Sequence, residues 1–138
     1  MWGSTEKMAR EIVRGITDAG VSVKLFDMAA SDRTEVIYAM FEAKGYLIGS
    51  SNHDSGLLPN MVAFLEFLKG LKPKNRIGSS FGSYGWSGVS IKLMETILKE
   101  AGIEQSQPSL GVQYAPDEEG LKRCYEFGKT FAEKVRTA

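Results

Sequence analysis

Two rhythms of apolar positions alternate along the chain. Over residues 4–19, Met8, Ile12, Val13 and Ile16 fall at i, i+4, i+5 and i+8, a stripe along one helix face. Gly20 follows, the residue type that commonly stands just past a helix end. Residues 21–26, from Val21 to Phe26, form a β-branched run and predict a strand. Asp32 is placed to cap a second helix reaching Ala43, with Val36, Ile37, Met40 and Phe41 inward. Residues 45–49, Gly-Tyr-Leu-Ile-Gly, predict a short apolar strand without alternation, as in a parallel sheet covered on both faces. A third helix is expected over 58–68, with Pro59 tolerated in its first turn. A third strand is expected over 75–81, and a fourth helix over 88–101, stopped by Gly102. A last strand lies within 107–114, and Asp117 opens a C-terminal helix.

Helices and strands alternating at this spacing indicate βαβ units and a mostly parallel sheet. Right-handed crossovers then put helices on both faces. The sequence shows no internal repeat, low-complexity tract or linker. The chain opens on a helix with no strand before it, although the first strand of a doubly wound sheet is usually central.

Length adds that residues 1–138 are expected to form a single domain, large enough to bury a core without disulfide or metal staples. Lys plus Arg and Asp plus Glu each total 17. The first 69 residues carry 7 basic and 9 acidic side chains and the rest 10 and 8, so no basic run offers a nucleic-acid footprint. One cysteine, Cys124, excludes an internal disulfide, and one histidine, His53, cannot build a His-rich di-metal centre. No apolar run approaches ~18–20 residues, the length a membrane span needs. No secretory signal opens the chain, and the expected compartment is the cytoplasm.

In sheets of this kind ligands bind beyond the carboxyl ends of the strands. Three stretches lie there. The first is Met1-Trp2-Gly3-Ser4-Thr5, leading into the first helix. Its hydroxyls and the free helix N–H groups make an anion site, although Ser4 or Thr5 as a plain helix cap explains it equally simply. The second is Ser50-Ser51-Asn52-His53-Asp54-Ser55-Gly56, able to hydrogen-bond a polar ring edge or to serve as a solvated turn. His53 has no partner in the sequence that would make it catalytic. The third is Phe81-Gly82-Ser83-Tyr84-Gly85-Trp86-Ser87-Gly88. Aromatic rings between flexible glycines suit stacking on a planar ligand, and core aromatics rarely need three glycines around them.

Other familiar sites are missing. There is no phosphate-binding G-x-x-x-x-G-K-[ST], and residues 82–88 read G-x-x-G-x-x-G rather than the dinucleotide fingerprint. No G-x-S-x-G elbow supports a triad through His53. Cys124 sits beside Leu121, Tyr125 and Phe127 as a core or boundary residue. Asp117, Glu118 and Glu119 stand at a helix start, where acids favour the dipole, and read as structural.

Taken in order, the three loops resemble the flavodoxin-like family, and within it the flavodoxin domain of flavodiiron proteins (A-type flavoproteins). The resemblance rests on residues 1–5, on Gly-Ser-Ser-Asn-His-Asp-Ser-Gly-Leu-Leu-Pro at 49–59, on residues 81–88, and on Tyr-Ala-Pro-Asp-Glu-Glu at 114–119. It covers essentially the whole chain. It implies a three-layer α/β/α sandwich with a mostly parallel sheet and bound FMN. Trp2, Gly3, Ser4 and Thr5 would surround the phosphate, with Met1 beside it. Ser51, Asn52, His53, Asp54, Ser55 and Gly56, together with Ser83, Tyr84, Gly85, Trp86, Ser87 and Gly88, would bracket the isoalloxazine. Tyr84 or Trp86 would lie against the ring. The metal site of the family is a di-iron centre in a separate domain that reduces oxygen or nitric oxide, and residues 1–138 provide none of it.

Three departures qualify the likeness. The di-iron domain is missing, so that chemistry belongs to another domain or chain. The family's first strand and the first hydroxyl of its phosphate loop are also missing, which removes a strand from the order 2-1-3-4-5 and leaves two inner edges unpaired. A truncated fragment, a start placed too late, and a gap filled by dimerisation or rearrangement all account for this. Finally, Ser51-Asn52 replaces the usual Pro-Thr, and Asp54 stands where Asn is common.

The resemblance implies an electron-transfer domain. Its partners would be a rubredoxin-like donor or an NAD(P)H-dependent reductase on one side and the di-iron domain on the other. Two alternatives stay open: a cofactor-free remnant acting as an oligomerisation or interaction module, homodimer included, and a flavin-dependent NAD(P)H reductase. A carboxylate near the flavin disfavours an anionic reduced ring and so lowers the reduction potential. Asp54→Asn is therefore expected to raise the flavin midpoint potential, read by redox titration; an unchanged potential would place Asp54 away from the ring.

Overall fold

The computed structural model describes residues 4–27, 31–50, 59–84 and 89–138. Elements run in the order α1 (Ser4–Asp18), α2 (Arg33–Glu42), β1 (Gly45–Gly49), α3 (Pro59–Leu71), β2 (Ile77–Tyr84), α4 (Val89–Glu100), β3 (Glu104–Gln105), β4 (Leu110–Gln113) and α5 (Glu118–Thr137). The helix boundaries follow from local chemistry. Asp32 accepts a hydrogen bond from the Thr34 N–H at 3.2 Å, and Asp117 from the Gly120 N–H at 2.8 Å, each capping the helix that follows. Gly20 and Gly102, at φ 85° and 81°, take the left-handed conformation that closes α1 and α4.

All strand pairs are parallel. On one edge of β2, Gly45 lies opposite Ile77 and Gly49 opposite Phe81. The other edge takes β3 at Ile77 and Gly78 and β4 from Phe81 to Tyr84, so β3 and β4 are two pieces of one strand. The sequence reading placed a single strand within 107–114. The break comes at Pro108, which has no N–H for the ladder. Beside it, the Ser79 hydroxyl donates to the Gln107 carbonyl at 2.9 Å, a side chain standing in for a strand partner.

Two apolar layers flank the sheet. Met8, Ile12 and Ile16 of α1 and Cys124, Phe127 and Ala132 of α5 pack with Phe81, Leu110 and Val112. On the opposite face Val36, Phe64, Leu65, Leu68, Met94 and Leu98 of α2, α3 and α4 pack with Tyr46, Ile48 and Ile103. β2 is buried from Ile77 to Ser83, which is why its sequence does not alternate.

The expected strand over 21–26 does not form; residues 21–27 carry no strand pairing. A strand exists only when a neighbour offers N–H and C=O groups. Among the described residues no strand lies against this run, and the outer edge of β1 has no partner. The side chains still divide between the faces. Val21 packs with the α1–α5 cluster and Phe26 with the other, while Val23 and Leu25 stay 36% and 48% exposed.

The tightest helix crossing joins α1 and α5. A methyl group on Gly15 would stand 2.2 Å from the Tyr125 carbonyl oxygen, and one on Gly128 2.2 Å from that of Ile12. Both obstacles are backbone, which cannot rotate aside. Gly128→Ala is expected to cost about 1–3 kcal/mol in urea unfolding through overpacking. Gly70→Ala, at a helical position with nothing within 4 Å, is expected to gain about 0.5–1 kcal/mol.

Candidate functional site

The carboxyl ends of β1, β2 and β4 and the N-terminus of α1 meet at one end of the sheet. β2 organises them. The Ser50 N–H donates to the Phe81 carbonyl at 3.2 Å, carrying the ladder one residue past β1. At the next position the β2 backbone crosses under the Ser50 carbonyl, where a methyl group on Gly82 would be 2.1 Å from that oxygen. Gly82 is therefore required for the approach. Ser83 follows, 2% exposed, and its Oγ lies 3.3 Å from the Thr5 Oγ1 in the first turn of α1. Ser4, one residue before, is 5% exposed.

This arrangement collects donors. The first N–H groups of a helix have no partner within it, and the dipole makes that end partly positive. One of the Thr5 and Ser83 hydroxyls donates to the other, which leaves the pair one proton to donate to an anion or a polar ring edge. The one carboxylate in the first turn of α1, Glu6, is engaged by Arg10 at 2.9 Å on the exposed side of the helix. The cluster is built to receive negative charge.

Four residues expected at the site fall among the described ones. Ser4, Thr5 and Ser83 converge as set out above. Tyr84 takes the opposite face of β2, half-buried beside Gly111. Met1, Trp2, Gly3, Ser51, Asn52, His53, Asp54, Ser55, Gly56, Gly85, Trp86, Ser87 and Gly88 lie outside the described residues. The sequence offers Gly82 as a loop glycine and Tyr114 as part of the 114–119 run, each without a contact at the site, and does not single out Gly111. Gly82 and Gly111 fill their roles by lacking a side chain, and only the register shows what each approaches. Tyr114 has a left-handed backbone at φ 61°, and its N–H donates to the Tyr84 carbonyl at 2.6 Å.

The acidic run reads as expected: Asp117 caps α5, and Glu118 and Glu119 occupy its first turn. Among the described residues no group of three or more His, Cys, Asp or Glu side chains could hold a metal ion. No described helix is long and apolar enough to cross a membrane. Cys124 is fully buried, and burial pushes its thiol up to about 11.

The chain matches the flavodoxin family model over residues 1–128. It is 43% identical over 136 residues to a nitric oxide reductase from Moorella thermoacetica, an alignment covering 98% of this chain and 34% of that protein. Its structure superposes on rubredoxin oxygen:oxidoreductase from the anaerobe Desulfovibrio gigas with a TM-score of 0.95 at 33% identity, covering 99% of this chain and 34% of the other. A flavodoxin from the domain Archaea superposes with a TM-score of 0.88 at 31% identity, covering 99% of this chain and 93% of that one. The chain thus spans about a third of the two larger proteins and nearly the whole of the small one.

The buried thiol supplies a check on the core beneath this end of the sheet. The thiolate, not the thiol, is the reactive form. Cys124 is expected to resist a water-soluble disulfide reagent at mildly alkaline pH and to react only at the rate of unfolding. Rapid labelling of the folded chain would show that α5 does not seal the core.

Proposed function

The chain belongs to the flavodoxin family, and from that premise we propose that residues 1–138 form one FMN-carrying electron-transfer unit that works beside a di-iron centre on another domain or chain. Flavodoxins bind FMN. When bound, the group supplies reversible uptake and release of electrons. The observation that carries the reading is the meeting of the α1 N-terminus with Ser83 at the carboxyl end of β2, through the 3.3 Å Thr5–Ser83 contact. Ser4 and Thr5, with the amides of the first turn, would hold the phosphate, joined by Met1, Trp2 and Gly3 of the same sequence run. Ser51, Asn52, His53, Asp54, Ser55 and Gly56 on one side, and Ser83, Gly85, Trp86, Ser87 and Gly88 on the other, would bracket the isoalloxazine, while the Tyr84 ring lies beside Gly111 on the other face of β2. Neither the described carboxylates nor Cys124 would take part in chemistry.

The donor and acceptor follow from the relatives. The D. gigas protein is a rubredoxin oxygen:oxidoreductase and the M. thermoacetica protein a nitric oxide reductase. A rubredoxin-like protein or an NAD(P)H-dependent reductase would deliver electrons to the flavin, and a di-iron domain would take them on. The likeness to both proteins at similar coverage supports one electron carrier serving either gas.

One observation favours a second reading. Among the described residues the outer edge of β1 has no strand partner and residues 22–26 join no strand ladder, and free strand edges invite association. A cofactor-free assembly module would use that edge.

The visible spectrum of the purified chain, taken after adding FMN and removing the excess, separates the two. A retained flavin band is expected. A hydrogen bond to a charged oxygen contributes about 1.5–3 kcal/mol, so Thr5→Ala is expected to weaken FMN binding about tenfold or more. A chain that keeps no flavin would overturn the electron-transfer reading and leave the assembly module. Tight binding unaffected by Thr5→Ala would move the phosphate elsewhere.

A further inference from the structure

We propose that the outer edge of β3 and β4 is built to refuse an added strand, with Arg123 as its guard, so that two chains do not join sheet to sheet along this side. The proposal goes beyond the flavin reading and holds whether or not FMN is bound.

A strand at the edge of a sheet presents N–H and C=O groups that template another strand. Among the described residues no strand pairs with the side of β3 and β4 that faces away from β2. Successive residues of a strand turn their backbone groups to opposite edges. The N–H groups of Glu104, Ser106 and Tyr114 donate to the carbonyls of Arg76, Gly78 and Tyr84 on the β2 side. Gln105, Gly111 and Gln113 therefore turn theirs outward. Three features close this row of groups to a partner.

The first is an interruption. β2 advances three residues from Gly78 to Phe81, while the strand opposite advances five from Gln105 to Leu110. Two extra residues are thus extruded around Pro108, a bulge that breaks the edge. Side chains fix it from both faces. On one face the Ser109 hydroxyl and the Gln105 amide donate to the Glu95 carboxylate of α4 at 2.7 and 2.9 Å. On the other the Gln107 amide donates to the Phe127 carbonyl of α5 at 3.1 Å. The unbroken pieces are the two residues of β3 and the four of β4.

The second feature is Arg123. It reaches round from α5, and its guanidinium donates to the outward Gly111 carbonyl at 3.4 Å. An arriving strand has to displace that group and leave its charge beside the new ladder. The third is charge on both flanks. Glu119, Lys122 and Glu126 border a groove floored by Leu110 and Phe127 on the α5 side. Lys99 and Glu104 border another, floored by Leu98 and Ile103, on the α4 side. A strand laid along this edge takes charges of both signs out of water, which is costly. The opposite side of the sheet is dressed differently, with Val23 and Leu25 partly exposed.

The test compares the parent chain with Arg123→Ala and Arg123→Lys. Sedimentation velocity over a range of concentrations reads self-association, and amide hydrogen exchange reads where it occurs. Freeing the edge acceptor is expected to make Arg123→Ala self-associate about tenfold more strongly than the parent. Its Gly111 amide exchanges more slowly as the concentration rises, because the added strand covers it. Arg123→Lys keeps a cation on the edge and behaves as the parent. The urea midpoint of both variants stays at the parent value, since the exchanged side chain is exposed. If Arg123→Ala precipitates, Arg123→Ser carries the comparison. The proposal is overturned if the uncharged variant sediments as the parent does at every concentration. It is equally overturned if that variant associates while the Gly111 amide keeps its exchange rate, which places the contact on another surface. A parent chain that binds no FMN defeats the flavin reading alone and leaves both readouts of the edge in force.

Discussion

At Gly82 two backbones come so close that no side chain fits between them, and the ligand end of the molecule depends on that contact. A Cβ at this position would lie 2.1 Å from the Ser50 carbonyl oxygen. The approach lets the last residue of the β1 ladder close over β2, bringing Ser50 and Ser83 to the same end of the sheet, both almost fully buried. β2 is made of small residues around Phe81, and that ring fills the space over Gly49, whose missing side chain makes room for it. Small residues on one strand and a large ring on the alternate position fix the register. A one-residue slip would put Phe81 where Gly82 must be, against the Ser50 carbonyl.

The second requirement is that α1 arrive at Ser83 with its N-terminus. α5 enforces this from the far end. Gly15 and Gly128 let the two helices cross in backbone contact, the Tyr125 hydroxyl donates to Asp18 at 2.6 Å, and Arg136 donates to the Ala19 carbonyl. Arg14 lies 4.4 Å above the Tyr125 ring while holding Glu11. These exposed polar contacts are individually weak. Their effect is directional: they pin the rear of α1, and the stripe of Met8, Ile12 and Ile16 seats its length. The first turn is then delivered to Ser83 without a large apolar contact at the site itself.

Much of this was legible in the sequence, for a physical reason. Helix stripes, caps and glycine stops are local, so Asp32, Asp117, Gly20 and Gly102 announced their roles before any contact was known. The family was legible because the residue types of the three loops are unusual together: hydroxyls before a helix, and aromatics between glycines. Pairing is not local. The run from Val21 to Phe26 has strand composition, yet strand formation is decided by what lies beside it. The split of the last strand at Pro108 was readable in principle, since proline cannot donate to a ladder. Gly111 and Gly82 carry no chemistry of their own. Their importance belongs to the Tyr84 ring and the Ser50 carbonyl, which only the register brings to them.

The unpaired segment bears on which functional reading is the stronger. Residues 21–27 keep strand-like alternation of their ends, Val21 to one core and Phe26 to the other, with no ladder to hold them. Side-chain burial therefore places this stretch, with the Val21 N–H tied back to the Ile16 carbonyl. The same division holds for the sheet. β1 is fixed by five register pairs to β2 on its inner edge, and nothing described pairs with its outer edge. The Thr5–Ser83 contact forms wholly on the inner side, through β2 and α1. An open outer edge and an assembled donor cluster coexist because they draw on different contacts. The exposed edge is then no argument against a ligand at the strand ends, and the convergence of donors there is a positive argument for one.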